Sequence, residues 1–497
     1  MPRRRRRTQF PLLGLAIGAT LAALLVACSN PKTTPTTGAN KEDPTFEEGQ
    51  SETAVNFSVT GGKQILTVTY NDETGAGNGL IKYTKSTRTV SAGASMLGWS
   101  YSFDSGKTWK YGGKVSPPSG GILWGDPAIT TDYADQRYVF ISNLYIPPSN
   151  VPSGGIIGPM TLGGTKSPIA GACIVRSEDG GVSFKLHQCV DNQQHFYDGG
   201  SMASAGGSFG DRSVYASFVD VETARIDVWR SPTDTGVFSR LEDPFPGIPI
   251  FSHPRLRFDR DTDSLYVAAL GANDGKIYVN RWNNGWGRPM VASWSTAGNP
   301  DIHLSDRTLR TGYQFSYDIG ASSEAGGDSV RFLYTAKDPD SGRFYVRGSY
   351  CDFQLTKCND APEWGTTPGN FRLSGDQFNP SVRAFPGFFN IPPVWKITYL
   401  SRQDDPKGNK VTVEQGNLAV LPGGARSMVP FRAVNGLLVC GDTRGYWGDY
   451  NELQFAGFEK DSTTARFLMA FTDSSQGCEK QWTFTSHHVH VSTVMFT

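Results

Sequence analysis

From about residue 54 to the end of the 497-residue chain, hydrophobic positions fall in short runs rich in β-branched and aromatic residues. Gly and Pro interrupt these runs roughly every ten residues, and no segment shows the apolar period of an amphipathic helix. Short apolar or alternating runs bounded by turn residues are typical of β-strands. The pattern therefore predicts an all-β domain.

One type of strand recurs seven times in this domain, with starts roughly 50 to 76 residues apart. Its copies are Leu66–Tyr70, Arg137–Ile141, Ser213–Ser217, Ser264–Ala268, Val330–Tyr334, Trp395–Tyr399 and Arg466–Ala470. A unit of this length holds four strands, and repeated four-stranded sheets close radially into a β-propeller. Seven blades fit best, and six fit if the first unit or a weak unit is misassigned.

A second signature, polar residue–Pro–any residue–aliphatic residue, marks the start of further strands. It occurs at Asp126, His253, Asn299 and Asn379, and Asp449 holds the same place in the last unit. Proline fits the first residue of a strand, where its missing N–H costs no ladder bond. We expect these segments to be the innermost strands around the central channel.

The polar residues that open these strands suggest a binding site at the channel mouth, because ligands of propellers bind there. The candidate residues are Asp126, Tyr197, Asp198, His253, Arg255, Asn299, Asn379, Arg383, Arg444, Trp447, Asp449 and Tyr450. The alternative is that these side chains only cap strand ends and bind water.

The N-terminus has the layout of an export signal. Five arginines, Arg3 to Arg7, precede an apolar stretch from Phe10 to Ala27, and Leu25-Val26-Ala27-Cys28 resembles the lipobox of bacterial lipoproteins. The resemblance implies a signal peptide over 1–27 and a lipid on Cys28. An ordinary cleaved signal with a chance cysteine and a retained membrane helix are the alternatives, and the stretch is short for a span.

Residues 28–53 are rich in Thr, Pro, Asn and Glu, which predicts a flexible tether before a domain over 54–497. Five of the 47 Lys and Arg residues lie before Cys28, so 42 face 47 acidic residues in the mature chain. This balance argues against a nucleic-acid partner, and we expect none. We expect a monomer in the bacterial cell envelope, extracytoplasmic and lipid-anchored at the outer membrane or cell surface.

Six cysteines remain after Cys28, and an even number in an exported chain predicts disulfides. Six cysteines allow fifteen pairings. Spacing favours Cys173 with Cys189 and Cys351 with Cys358, which leaves Cys440 for Cys478.

Two segments resemble the Asp-box of sialidases, S-x-D-x-G-x-T-W. One spans 102–109, with Ser102, Asp104, Gly106 and Trp109 at fixed positions; the other spans 177–184, with Ser177, Asp179, Gly181 and Phe184. A degenerate third begins at Ser231. The resemblance implies a sialidase-like propeller in which these turns are structural and lie on the outer rim of a blade. Because the motif indicates fold, function needs its own argument.

The family's enzymes hold the substrate carboxylate with three arginines and use a Tyr–Glu nucleophile pair with an aspartic acid/base. The Arg-Ile-Pro motif that carries the first of these arginines does not occur in this sequence. Arg255, Arg257, Arg383 and Arg444 lie at channel-type positions, but spacing does not complete the set. We therefore expect a glycan- or protein-binding module. The alternative is a sialidase-like exo-glycoside hydrolase.

Two weaker signals concern metals. Asp259–Ser264 is similar to a calcium loop but lacks the central Gly and has Leu270 at the twelfth position, which favours a solvated turn. His488 and His490 share a strand face without an adjacent acidic or cysteine partner. We expect no cofactor and no metal site, although the sequence is compatible with a structural calcium ion.

Overall fold

The computed structural model describes the following residues: 37–38, 50–72, 81–83, 88–151, 156–157, 171–191, 196–206, 211–233, 235–251, 254–293, 302–303, 308–309, 315–320, 330–338, 340–361, 376–385, 394–402, 410–420, 426–440, 452–458, 465–473 and 488–496. Apart from the short 3₁₀ turn Pro148–Asn150, their regular structure is β-strand. None of these residues forms a helix with the length and apolar content to cross a membrane. The predicted all-β class is confirmed.

The strands of the first half are β1 (Thr37–Gly38), β2 (Gln50–Thr60), β3 (Lys63–Asp72), β4 (Ile81–Tyr83), β5 (Arg88–Ser91), β6 (Leu97–Ser102), β7 (Lys110–Lys114), β8 (Ile122–Thr131), β9 (Val139–Ile146), β10 (Ile156–Ile157), β11 (Gly171–Ser177), β12 (Lys185–Asp191), β13 (Tyr197–Ser204), β14 (Val214–Asp220), β15 (Arg225–Ser231) and β16 (Ser239–Arg240). Those of the second half are β17 (Arg255–Asp259), β18 (Ser264–Leu270), β19 (Ile277–Trp282), β20 (Met290–Val291), β21 (Ile302–His303), β22 (Thr308–Leu309), β23 (Phe315–Ile319), β24 (Val330–Lys337), β25 (Phe344–Cys351), β26 (Cys358–Asp360), β27 (Gln377–Phe385), β28 (Val394–Ser401), β29 (Lys410–Val420), β30 (Arg426–Cys440), β31 (Glu452–Phe458), β32 (Ala465–Asp473) and β33 (His488–Phe496).

Most of these strands form four-stranded antiparallel sheets, which are the blades of a propeller. Six blades are built from successive segments: blade 1 (β2, β3, β6, β7), blade 2 (β8, β9, β11, β12), blade 3 (β13 to β16), blade 4 (β17 to β20), blade 5 (β23 to β26) and blade 6 (β27 to β30). A seventh four-stranded sheet, blade 7, has the order β31, β32, β33, β1. The described strands therefore form seven blades, the number that the sequence favours.

The first strand of each blade contacts the first strand of the next one around a ring. β2 lies against β8, the series continues through β13, β17, β23, β27 and β31, and β31 returns to β2. The seven recurring strands of the sequence are the second strands β3, β9, β14, β18, β24, β28 and β32. They repeat because each lies between two neighbouring strands of its own blade, and their described side chains are mostly buried.

The N-terminal segment takes part in the ring. Thr37 and Gly38 of β1 pair with Val491 and His490 of β33 as the outermost strand of blade 7. β2 begins at Gln50, so the predicted domain start at residue 54 falls within a strand of blade 1. The polar composition of 28–53 conceals β1, because an outermost strand needs few apolar residues. It also conceals the first four residues of β2, which are polar.

The hydrophobic core lies between the blades. Between blades 2 and 3, Phe140, Ile174 and Phe218 belong to one buried cluster, and Tyr197 stacks on Phe218 with ring centroids 5.4 Å apart. Between blades 4 and 5, Tyr317 stacks on Phe332 at 5.1 Å in a second cluster. In blades 3 and 5, aromatic residues of the first two strands thus fill the space between neighbouring sheets.

Both predicted Asp-boxes form turns between the third and fourth strands of a blade. In the first, the Ser102 hydroxyl donates to Asp104 Oδ1 at 2.8 Å and accepts the Gly106 N–H at 2.9 Å. Asp104 also accepts the Thr108 N–H and hydroxyl at 2.9 and 2.6 Å. In the second, the aromatic residue Phe184 packs edge-on against Trp99 of blade 1, so the turn also joins two blades.

Blade 5 contains a related turn that the sequence motif does not reveal. Asp352 accepts the N–H and hydroxyl of Thr356 at 2.8 and 2.5 Å, as the Asp-box aspartates do. The Cys351–Cys358 disulfide joins the two arms of this turn. The Cys173–Cys189 disulfide is also present, between cross-strand partners of β11 and β12. Both predicted pairs are confirmed, whereas Cys28 and Cys478 lie outside the described residues.

Candidate functional site at the channel mouth

Successive strands of a blade run antiparallel, so all first strands begin at the same end of the propeller. We call this end the mouth end. The loop entering each first strand lies there, together with the loop between the second and third strands of the same blade. The Asp-box turns lie at the opposite end, because they join third strands to fourth strands.

Three first strands share an unusual backbone feature near the mouth end. Asp126 in β8, Gly199 in β13 and Asn379 in β27 each have a φ of 54°, in the left-handed region. At each position the pairing register with the second strand shifts, as in a β-bulge. Asp, Asn and Gly are the residues that tolerate this conformation best. The polar–Pro signature therefore marks a bulge within the strand at Asp126 and Asn379, and the predicted strand start is wrong there, since β8 already begins at Ile122 and β27 at Gln377.

The Asp126 bulge is fixed by hydrogen bonds to two neighbouring strands. Its backbone N–H donates to Asn71 Oδ1 of β3 at 2.7 Å, and its Oδ2 accepts the Gly199 N–H of blade 3 at 3.3 Å. Asp198 Oδ1 accepts the same N–H at 3.0 Å. Asp126 and Asp198 are thus brought together, and both side chains are partly exposed.

Deeper in the channel, polar side chains at one equivalent position of blades 4 to 7 form a continuous row. We call Arg257, Asp318, Arg383 and Gln454 the polar belt. Asp318 forms an ion pair with Arg257 at 3.4 Å and accepts the Ala384 N–H of blade 6 at 2.8 Å. The Arg383 guanidinium donates from Nε to Gln454 Oε1 of blade 7 at 3.1 Å.

Serine hydroxyls fix the register between successive first strands. Ser201 accepts the Leu256 N–H at 2.9 Å. Ser316 accepts the Val382 N–H, and Ser381 accepts the Leu453 N–H, both at 3.2 Å. In each bond the serine lies two residues before the belt-level position of its own blade. The N–H that it accepts lies one residue before the belt position of the next blade. The belt side chains therefore face one another at a fixed level.

The environment of Tyr317 shows how these charges converge. This buried phenol lies below Arg257, whose guanidinium is 5.9 Å from the ring centroid, and donates a hydrogen bond to the Tyr266 carbonyl at 2.9 Å. Burial raises the pKa of Tyr317, while the charges of Arg257 and Arg383 oppose that rise. The Tyr317 hydroxyl therefore stays protonated and uncharged beside the Arg257 guanidinium.

Several candidate residues have other positions or roles than the sequence suggests. Tyr197 opens a first strand, but its side chain is fully buried and its hydroxyl donates to Asp227 Oδ2 at 2.5 Å. Asp227 also pairs with Arg240. Tyr197 thus joins two strands of blade 3 and does not contribute a surface to the mouth.

The Asn299 motif leads to a different element from the one expected. It precedes β21, which pairs only with β22 in a two-stranded sheet outside the blades. The first strand of blade 5 is β23, which begins at Phe315 without a preceding proline. A proline before an aliphatic residue fits a short hairpin strand equally well, so the motif alone gives a false assignment here.

Some of the remaining candidates lie on first strands, and the others lie outside the residues that the structure describes. Arg255 is partly exposed at the start of β17, and Arg383 and Asn379 belong to β27. His253, Asn299, Arg444, Trp447, Asp449 and Tyr450 lie outside the described residues. The sequence motifs missed Asp318 and Gln454. A signal for Asp318 is the alignment of Ser316-Tyr317-Asp318 with Ser381-Val382-Arg383.

The calcium-like segment forms a self-capped turn. Asp259 accepts the Asp261 N–H at 3.1 Å and the Thr262 hydroxyl, so its oxygens are occupied by the turn itself. Across the described ranges, no group of three or more His, Cys, Asp or Glu residues is arranged to hold a metal ion.

No protein-family model and no curated protein sequence matches this chain. Solved structures with a similar fold include the alpha-L-arabinofuranosidase Arb93A from Fusarium graminearum, at 12% identity and a TM-score of 0.38 over 73% of this chain and 91% of that one. The leech intramolecular trans-sialidase matches at 10% identity and a TM-score of 0.40, over 93% of this chain and 70% of the other. An ulvan lyase matches at 12% identity and a TM-score of 0.41, over 80% and 83%.

These likenesses are too distant to assign an activity. The architecture follows from the chain's own structure and motifs: four-stranded blades around a ring, two Asp-box-like turns, and two disulfides. By fold, the chain is a β-propeller of four-stranded antiparallel blades.

Proposed function

We propose that this protein is a lipid-anchored, extracytoplasmic propeller that binds a glycan at the mouth of its central channel. The polar belt is the observation that carries the proposal. Arg257, Asp318 and Gln454 are each partly exposed, and their hydrogen bonds and ion pair hold them in place before a ligand arrives. Preorganised donors and acceptors of both kinds suit the hydroxyl groups of a sugar.

Binding without hydrolysis is the favoured form of this proposal. A retaining sialidase-type reaction needs a tyrosine activated by a carboxylate at a position that substrate can reach. Tyr–Asp hydrogen bonds in the described part of the chain include those of Tyr111, Tyr197 and Tyr278. Tyr197 is fully buried, and Tyr111 and Tyr278 lie on the fourth strand of blade 1 and the third strand of blade 4. These positions do not suit a nucleophile for the channel.

The experiment that tests binding uses the full chain purified in detergent, applied to an array of acidic and neutral oligosaccharides. We expect Arg257→Gln to weaken binding to the best glycan by about tenfold or more, because a charge-assisted hydrogen bond is lost. Arg137→Gln is the matched control, since Arg137 is exposed at the opposite end of the propeller, where it forms an ion pair with Asp135. Equal loss in both variants would contradict the proposed site.

The second candidate function is exo-glycoside hydrolysis, which the arginines at channel positions favour. Release of fluorophore from a sialoside or from a panel of other fluorogenic glycosides tests it directly. Turnover that disappears in Arg257→Gln and Arg383→Gln, but survives in Arg137→Gln, would replace the binding proposal by a hydrolytic one.

Membrane anchoring is part of the proposal and rests on the lipobox-like segment that ends at Cys28. We expect the expressed chain to fractionate with membranes and to carry a lipid on Cys28, detectable by mass spectrometry of the N-terminal peptide. Cys28→Ser should abolish the lipid. A soluble wild-type chain that begins at another residue would contradict the anchor and leave the binding proposal intact.

A further inference from the structure

Exposed apolar side chains have an uneven distribution between the two ends of the propeller. Among described residues, the large exposed hydrophobics are Val59, Phe103, Tyr133, Leu186, Val221, Val237, Phe251 and Val291. Of these, Val221 and Phe251 belong to mouth-end loops: Val221 directly follows the second strand of blade 3, and Phe251 lies in the segment that enters the first strand of blade 4. The pair therefore belongs to adjacent blades at one end.

Backbone hydrogen bonds join the two loops and hold both residues in place. The Val221 N–H donates to the Phe196 carbonyl at 2.9 Å, next to the start of β13. The Ile250 N–H donates to the carbonyl of Ala224, three residues after Val221, at 2.7 Å. The Phe251 N–H donates to the Leu270 carbonyl at 2.9 Å. Phe251 is 56% exposed and Val221 is 42% exposed. These are apolar groups displayed on a fixed backbone.

The apolar pair adjoins blade 3, whose side chain at the level of the polar belt is apolar. At the level of the polar belt, blades 4 to 7 carry Arg257, Asp318, Arg383 and Gln454, whereas blade 3 carries Ala203 at the matching position. Phe251 lies four residues before Arg255 on the approach to β17. The mouth therefore combines the apolar pair over blades 3 and 4 with the polar belt over blades 4 to 7, and the carboxylates of Asp126 and Asp198 lie between blades 2 and 3.

A sugar ring likewise combines apolar and polar parts. Its axial C–H groups make an apolar face that packs on an aromatic ring, while its hydroxyl groups form hydrogen bonds around the edge. We propose that Phe251, flanked by Val221, is the platform on which one sugar ring of the ligand packs while its polar edge faces the polar belt. This inference rests on the proposed glycan-binding function and adds a specificity-determining residue to it.

The test compares Phe251 variants of the full chain in detergent, with affinity measured for the array glycan that the wild type binds best. We expect Phe251→Ala to weaken binding by about tenfold, the loss for one buried aromatic contact. Phe251→Trp should retain the affinity, because it keeps an aromatic face. Val237→Ala is the matched control: Val237 is 72% exposed, but in the turn between the third and fourth strands of blade 3, at the opposite end.

The outcomes separate the inference from the proposed function. Unchanged affinity in Phe251→Ala, with the loss in Arg257→Gln intact, overturns the Phe251 platform alone. No glycan bound by the folded wild type overturns both. An equal loss in Phe251→Ala and Phe251→Trp shows that the loop shape matters and the aromatic face does not, which also overturns the platform. Circular dichroism of each variant establishes that the β-structure is retained.

Discussion

At the scale of single residues, backbone conformation decides which side chains can open the first strands. The left-handed φ at Asp126 and Asn379 places a short polar residue where other side chains are strained, and Gly199 serves the same purpose in β13. The sequence motif captured the polar residue and the proline but not the bulge. It also could not distinguish Asp126, which is partly exposed, from Tyr197, which is buried, because burial depends on which side of the strand each residue occupies.

The conformation at Asn379 gives a matched pair of variants. Asn379→Gly and Asn379→Ala both remove the amide, so their difference isolates the cost of a Cβ in the left-handed region. We expect the alanine variant to be less stable by about 1 kcal/mol. Equilibrium denaturation in urea measures this difference. Equal stability of the two variants would show that the strand relaxes out of the left-handed conformation.

His187 predicts a pH-dependent contribution to stability between blades 2 and 3. Its Nε2 lies 3.0 Å from the Gly236 carbonyl, and its ring meets Phe140 and Phe238 edge-on. Burial lowers the pKa of His187; the hydrogen bond to Gly236 opposes the shift, and the Arg176 charge adds to it. The folded state therefore binds this proton less readily than the unfolded state.

A lowered folded-state pKa means that the contribution of His187 is present above the ordinary histidine pKa of about 6.5 and is lost as pH falls. His187→Gln keeps a donor for Gly236 and removes the titration. We expect the wild type to lose more stability than His187→Gln between pH 7.5 and 5.5, measured by urea midpoints. Parallel pH profiles for the two proteins would exclude His187 as a source of acid sensitivity.

At the scale of elements, repetition determined what the sequence could reveal. Each second strand is central in its sheet, and the described side chains of these strands are mostly buried, so the apolar pattern recurs from blade to blade. First strands vary: β8 and β27 contain the proline signature, β17 follows it, β13 has Gly199-Gly200, and β23 has neither. β2 alternates polar with apolar residues next to a polar segment, which concealed it. Outer strands such as β16, with two residues, give no periodic signal at all.

The Asp-box is an element whose contribution can be measured against its immediate neighbour. Asp179 accepts the Val182 and Ser183 N–H groups at 3.0 and 2.9 Å and hydroxyl donors from Ser177 and Ser183. Asp179→Ala leaves those donors without their acceptor, and we expect a loss of about 1–3 kcal/mol in unfolding free energy. Glu178→Ala, which breaks only an exposed pair with Arg176, should cost about 0.5 kcal/mol or less. A similar cost for both would deny the turn a structural role.

At the scale of the whole molecule, both ends of the described chain meet in blade 7. β31 to β33 come from the C-terminal part and β1 from the N-terminal segment, and β31 contacts β2 of blade 1. Ring closure therefore depends on non-local contacts that no local sequence pattern specifies. The prediction of a tether over 28–53 rests on composition. Composition cannot detect a strand whose partner lies more than 450 residues away in the chain.

Truncation tests this closure. A chain beginning at Ala54 lacks β1 and the first four residues of β2, including the pairs of Gln50 with Asp72 and Ser51 with Asn71. We expect it to melt several degrees below a chain beginning at Ser29, because β33 loses its outer partner and blade 1 loses part of its first strand. Identical melting temperatures would mean that β1 adds nothing to closure.

The short β1 also has a mechanical consequence. Under the proposed anchor at Cys28, any pull between membrane and propeller would reach the ring through β1 before it reaches any other strand. That strand is held by two residue pairs, Thr37 with Val491 and Gly38 with His490. It would separate from β33 at low force, and the chain before β2 would then extend. The long pairing of β2 with β3 would bear the remaining force. The ring of blades and the channel mouth would stay intact while the segment between Cys28 and β2 extends.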